Sequence, residues 1–130
     1  MPRLFISHTM DSRDYARRLA EALKALGDAP QFDLEAIKPG QSFSKTIRAN
    51  LASSDYIVVL LTERAAKSPS VMFEIGAAEG LGKRVIPILL ADIDIDMLDY
   101  IRRDRWFLDA KKLSPTQTAQ RIKALTEQHR

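Results

Sequence analysis

Cysteine is absent from this 130-residue chain, which excludes disulfides, thiolate catalysis and Cys-based zinc sites. Histidine is scarce. His8 and His129 are too few and too far apart in sequence to indicate a metal site, and no metal is expected. Long apolar runs are also missing. The longest, Tyr56 to Leu61 and Val85 to Ala91, fall far short of the roughly 20 residues a membrane helix needs. Met1 leads into no apolar targeting region with a cleavage site. A soluble cytoplasmic protein without a membrane partner is the default expectation. Charge of one sign is not gathered into a block either: twenty basic residues against seventeen acidic ones give +3. Asp14 stands four residues before Arg18, and Arg17 four before Glu21, a pattern of a solvated, ion-paired helix face rather than a phosphate track. Nucleic acid is therefore not an expected partner.

What is present is an ordinary globular composition, 45% hydrophobic and 28% charged, enough for a real core. No repeat, low-complexity tract or linker interrupts it, so one domain over 1–130 is expected. Arg3 to Ser7 reads as a short buried strand. Asp11 or Ser12 caps a helix whose apolar positions Tyr15, Leu19, Ala22, Leu23 and Leu26 keep helical spacing, and Gly27 stops it. Gln31 to Glu35 reads as a weaker strand, and Pro39-Gly40 marks a turn. Ser42 caps a second helix carrying Phe43, Ile47 and Leu51. Tyr56 to Leu61 is the strongest strand signal. Next come a helix opened by Ser68 and Pro69, a stop at Gly80-Leu81-Gly82, and a strand from Arg84 to Leu90. A poorly defined acidic helix around Asp94 to Asp104 precedes a last strand over Arg105 to Leu108. Thr116 to Gln128 is a terminal helix, and Trp106 and Phe107 belong to the core.

Continuous apolar strands alternating with helices imply a parallel sheet covered by helices on both faces. The fold class predicted is α/β, a flavodoxin-like, doubly wound five-stranded sheet of order 2-1-3-4-5. Its functional crevice lies beyond the carboxyl ends of strands 1 and 3, where the winding reverses. The loop Ser7-His8-Thr9-Met10-Asp11 and the helix that follows strand 3 converge there by topology alone.

One residue stands out on that helix. The stretch Ser68-Pro69-Ser70-Val71-Met72-Phe73-Glu74-Ile75-Gly76-Ala77-Ala78 has a single ionisable side chain, Glu74. Val71 and Ala78, three before and four after it, share its helical face. A lone helical Glu ordinarily points to water. A half-buried carboxylate without a cationic partner is costly unless its charge is used, and a helix start at a switch point commonly contacts a ligand.

Other motifs fail on their mechanics. Gly80-Leu81-Gly82-Lys83 lacks the strand-before, helix-after context and the trailing Ser or Thr of a phosphate loop, and reads as a helix C-cap. Asp92, Asp94 and Asp96 suggest a calcium loop, but Met97 stands where Gly is needed and Arg103 where Glu is needed. A phospho-acceptor receiver domain would want an Asp closing strand 3, where Leu60-Leu61-Thr62-Glu63 stands, and an acidic pair closing strand 1, where Ser7-His8 stands. His8 has no Ser-His-Asp or Cys-His partners in view, and reads as a loop imidazole facing a ligand or solvent.

Four segments, taken in order, carry a family resemblance: Leu4-Phe5-Ile6-Ser7-His8, Ile37-Lys38-Pro39-Gly40, Ser54 to Thr62, and Ser68 to Ala78. Together they resemble Toll/interleukin-1 receptor (TIR) domains over essentially the whole chain. The resemblance is to bacterial TIR domains of antiphage defence proteins and host-interfering effectors. Many TIR domains cleave NAD at the nicotinamide glycosidic bond. The resemblance implies NAD as substrate with no cofactor, Glu74 as the catalytic carboxylate, and Ser7, His8 and Thr9 beside the nucleotide. It also implies that Ile37, Lys38, Pro39 and Gly40, the so-called BB loop, gate the pocket. Ser70 occupies a substrate-side position where the family often has Trp, four residues before the glutamate. Self-assembly of TIR domains is implied as the activating step. Two other outcomes stay open: cyclisation of ADP-ribose into a signalling nucleotide, and a non-catalytic scaffold acting through homotypic association.

Overall fold

The computed structural model describes residues 3–31, 52–68, 75–76, 78–93 and 106–128. Five parallel strands form one sheet in the order β2-β1-β3-β4-β5. They are β1 (Arg3–Ser7), β2 (Ala29–Gln31), β3 (Tyr56–Leu61), β4 (Arg84–Leu89) and β5 (Leu108–Asp109). This is the doubly wound order read from the sequence. In β1 and β4 every residue after the leading arginine is buried, so both faces of these strands are covered, as a parallel sheet requires.

The cover follows from side-chain alternation along each strand. Leu4, Ile6, Val58, Leu60, Ile86 and Ile88 point to one face. There they meet Ala16, Leu19, Ala20 and Leu23 of α1 (Arg13–Ala25) and Ala119 and Ile122 of α3 (Pro115–Gln128). Phe5, Ile57, Val59, Leu61 and Val85 point to the other face. Ala65 of the short α2 (Glu63–Ala66) and Ala78, in the helical residues 78–80, pack against them. Each Val, Leu, Ile or Phe side chain on these strands contributes about 1.5–3 kcal/mol when fully buried, so a polar residue at any of these strand positions would oppose the fold.

Glycines end the helices as the sequence indicated. At Gly27 (φ 93°) and Gly82 (φ 72°) the backbone enters the left-handed region. The amides of Asp28 and Gly27 donate to the carbonyls of Leu23 and Lys24, and those of Lys83 and Gly82 to Ala78 and Glu79, at 2.9–3.1 Å. Both are Schellman closures. Gly80-Leu81-Gly82-Lys83 is thus a helix C-cap.

The outer strands and the helix starts depart from the sequence reading. β2 begins at Ala29, ahead of the expected Gln31, and carries Pro30 in register with Leu4. An edge strand tolerates proline because its outward N–H has no strand to bond, so Pro30 does not break the sheet. β5 is Leu108–Asp109 rather than Arg105 to Leu108. Trp106, 2% exposed, is held before the strand by the ring of Tyr56 at 6.0 Å and the Arg84 guanidinium at 4.9 Å. It is core, as expected, and Phe107 packs on the opposite face. α1 starts at Arg13, and neither Asp11 nor Ser12 caps it through its side chain. A 3₁₀ turn, Met10–Ser12, precedes it instead. α2 was not anticipated. Thr62 caps it by accepting the Ala65 amide at 3.1 Å, and the Ser68 amide closes its far end on Ala65. The expected helix of Ser42 and the acidic segment Asp94 to Asp104 lie outside the described residues. On α1, Asp14 pairs with Arg17 and Arg18 at 2.8 and 3.1 Å, and Arg17 with Glu21 at 3.5 Å, all exposed. That face is solvated, and such pairs add little stability.

Candidate functional site

β1 sits between β2 and β3, so the chain leaves β1 toward one side of the sheet and later returns on the other. The carboxyl ends of β1 and β3 flank that reversal. In such sheets the two flanking loops diverge and leave a crevice for a ligand. Ser7 ends β1 in register with Val59. His8 and Thr9 follow it, and Thr62 follows β3.

This loop is tightly held. Ser7, His8 and Thr9 are 2%, 7% and 6% exposed. The Thr9 carbonyl accepts the Ser12 amide at 3.0 Å and the Ser12 hydroxyl at 3.2 Å, which starts the 3₁₀ turn. The Thr9 hydroxyl donates to the Asp11 carboxylate. Its oxygen also lies 3.5 Å from the Thr62 hydroxyl, at the outer edge of hydrogen bonding. Burial alone would push the Asp11 carboxyl up. Hydrogen bonds from Thr9, Thr62 and its own backbone amide, with the Arg64 charge, outweigh that and hold it below the usual aspartate range. Asp11 is therefore a fixed anion that gathers hydroxyls from both loops. His8 is packed away from solvent, with Nδ1 3.4 Å from the Ile6 carbonyl oxygen. Met10, 51% exposed, and Asp11 are what this loop presents outward.

Of the sequence-derived site residues, Ser7, His8 and Thr9 are consecutive in the chain and lie at the carboxyl end of β1. Glu74, Ser70 and the Ile37, Lys38, Pro39 and Gly40 segment lie outside the described residues. Ala78, four residues after Glu74 in the chain, is fully buried against β3 and β4. Among the described residues no group of three or more His, Asp or Glu side chains could hold a metal ion. No described helix is long and apolar enough to cross a membrane. Sequence reasoning missed Asp11 and Thr62 as members of this cluster. The signal for Thr62 was its place at the carboxyl end of β3. Asp11 reads instead as a helix cap, while its carboxylate is taken by the Thr9 hydroxyl two residues earlier, with Thr62 beyond it.

Comparison with known proteins gives a consistent picture. The family model described as the TIR domain matches residues 4–126. A curated protein of Acinetobacter baumannii, the 2' cyclic ADP-D-ribose synthase AbTIR, is 35% identical over 102 residues. The match covers 75% of this chain and 38% of that protein, so this chain spans about two fifths of the length of the curated relative it matches. Among solved structures, the TIR domain of the Toll-related receptor TRR-2 from Hydra magnipapillata superposes with a TM-score of 0.71 at 18% identity, covering 97% of this chain and 99% of that one. The RPS4 and RRS1 TIR domain heterodimer gives 0.68 at 18% identity, covering 97% and 96%. At these identities the two structures speak to fold alone.

Proposed function

This chain belongs to the TIR domain family, and on that premise we propose that it is an enzyme cleaving the nicotinamide–ribose bond of NAD, with Glu74 as its catalytic carboxylate. The observation that carries the reading is its 35% identity, over 75% of its length, to a protein named as a cyclic ADP-ribose synthase. A cyclised ADP-ribose is what NAD becomes when nicotinamide leaves and an internal hydroxyl captures the ribose.

The chemistry asks little of the protein. The C1′–N bond breaks, and its electron pair leaves with nicotinamide, which departs neutral because it was cationic in NAD. No general acid is required. An oxocarbenium-like ribose remains, as in glycoside hydrolysis. A carboxylate held against it in a low-dielectric crevice stabilises that charge, which is the role proposed for Glu74. A water then adds, losing one proton, to give ADP-ribose, or a ribose hydroxyl adds to give the cyclic product. Exclusion of water by the loop of residues 37–40 would favour the second. The buried Ser7–Thr9 loop would meet the nucleotide through its backbone and outer edge, since its side chains are largely covered. Self-association is proposed as the activating step, with antiphage defence or a host-directed effector role as the setting.

The test follows released nicotinamide by chromatography after incubation with NAD, at high protein concentration or on beads so that assembly is permitted. Wild type is expected to release it, with Glu74→Gln and Glu74→Ala reduced at least a hundredfold, the scale of losing a principal electrostatic group. Equal turnover in all three proteins would remove Glu74 from the mechanism. Mass spectrometry of the product separates hydrolysis from cyclisation.

Ser70, standing where the family often has Trp, favours a second reading as a scaffold that self-associates through residues 37–40 without catalysis. Light scattering against concentration, with Lys38→Glu and Gly40→Pro, tests it. A strict monomer at every concentration, insensitive to both changes, would remove this alternative.

A further inference from the structure

The hydroxyl cluster between the two loops has a defined direction. A threonine hydroxyl owns one proton and two acceptor lone pairs. Thr9 gives its proton to Asp11, so in the 3.5 Å contact with Thr62 it can only accept. Thr62 in turn receives the Ala65 amide on one lone pair, which leaves its own proton for Thr9 or Asp11. The sequence of donors therefore runs from the first turn of α2, through Thr62, to Thr9 and the Asp11 carboxylate. An ionised carboxylate accepts only, so it ends the chain. The arrangement links residues 53 positions apart, at the two strand ends that flank the crevice. Ser12 holds the Thr9 carbonyl from within its own turn, and Thr62 meets the Thr9 hydroxyl at 3.5 Å from the end of the neighbouring strand.

We propose that Asp11 and Thr62 are positioning residues for the Ser7–Thr9 loop, acting through the Thr9 hydroxyl to set the edge that the nucleotide meets. This rests on the NAD-cleaving reading above. Neither residue touches the reacting ribose in this account, so their loss weakens substrate binding without slowing the bond-breaking step. A merely structural pair would instead lower the amount of folded protein, leaving KM and kcat per folded molecule alone.

The experiment measures kcat and KM for NAD in wild type, Thr62→Val, Thr62→Ser and Asp11→Ala, with folded fraction checked by thermal denaturation. Thr62→Val removes both the cap of α2 and the link to Thr9, whereas Asp11→Ala leaves the cap in place. The expected result is a three- to tenfold rise in KM for Thr62→Val and Asp11→Ala, the scale of one lost hydrogen bond, with kcat within about twofold. Thr62→Ser, which keeps the hydroxyl, is expected to behave as wild type. Binding of NAD to a Glu74→Gln background, measured by titration calorimetry, should weaken by the same factor when Asp11→Ala is added. An unchanged KM in Asp11→Ala, or a loss in Thr62→Val that Thr62→Ser shares, overturns the proposal while leaving the NAD reading intact. If wild type neither binds nor cleaves NAD at any concentration, both fall together.

Discussion

The Asp28 carboxylate, just ahead of β2, lies 2.9 Å from the Lys123 ammonium on α3, with the Asp28 side chain fully buried and that of Lys123 20% exposed. One carboxylate oxygen, Oδ2, has no hydrogen-bond partner among the described residues. Among the described residues, Lys123 is thus the group that offsets the charge of a buried acid. Removing one member of such a pair costs about 3–5 kcal/mol, because the other is left buried and uncompensated. Lys123→Met is expected to lower stability by about that amount in denaturant unfolding. Asp28→Asn should cost less, since Lys123 keeps access to water. The double variant should recover much of the Lys123→Met loss. A Lys123→Met protein as stable as wild type would show that the pair does not hold α3 to the start of β2.

Two glycines only two residues apart should respond oppositely to the same substitution. Gly82 sits at φ 72°, where a Cβ costs about 1–2 kcal/mol. Gly80 is helical and exposed, and a Cβ there meets nothing within 4 Å. Gly82→Ala should therefore destabilise by about 1 kcal/mol, and Gly80→Ala should stabilise by about 0.5–1 kcal/mol. Thermal unfolding of both variants checks it, and equal shifts of one sign would contradict the Schellman closure.

The interior strands were legible in the sequence because their signal is local. Leu4-Phe5-Ile6 between polar residues and the continuous apolar run Tyr56–Leu61 mark strands, and Arg3–Ser7 and Tyr56–Leu61 are strands with the expected bounds. Strand order follows from alternation and handedness, and that order alone puts Ser7–Thr9 at the switch point. What was illegible depends on neighbours. Pro30 lies within β2 because that strand is an edge, which the local sequence does not show. Trp106 belongs by hydropathy to a strand, yet Tyr56 and Arg84 hold it ahead of one. α2 is four residues long, too short for periodicity, and is stabilised by a cap and by Ala65 in the core. Asp11 reads as a helix cap because Asp favours that place. Its carboxylate is instead taken by a threonine two residues earlier, with a second hydroxyl supplied from the end of β3.

Acid should expose that last arrangement. Burial raises the Asp11 proton affinity, but the hydrogen bonds from Thr9 and Thr62 and the charge of Arg64 lower it further, so its folded value is below its unfolded one. A depressed carboxylate contributes stability that is fully present above its unfolded value, about pH 4, and is lost as pH falls through the folded value. Asp14, lowered by its hydrogen bond from Arg17 and by the Arg18 charge, behaves in the same direction, so total acid sensitivity cannot assign the effect. The difference between wild type and Asp11→Asn can. Asp11→Asn is expected to be less stable than wild type at pH 6 and to converge on it as pH drops below about 4. Urea midpoints at several pH values measure this. Parallel curves, with a constant gap between the two proteins down to pH 2, would mean that the Asp11 charge contributes nothing to holding the loop.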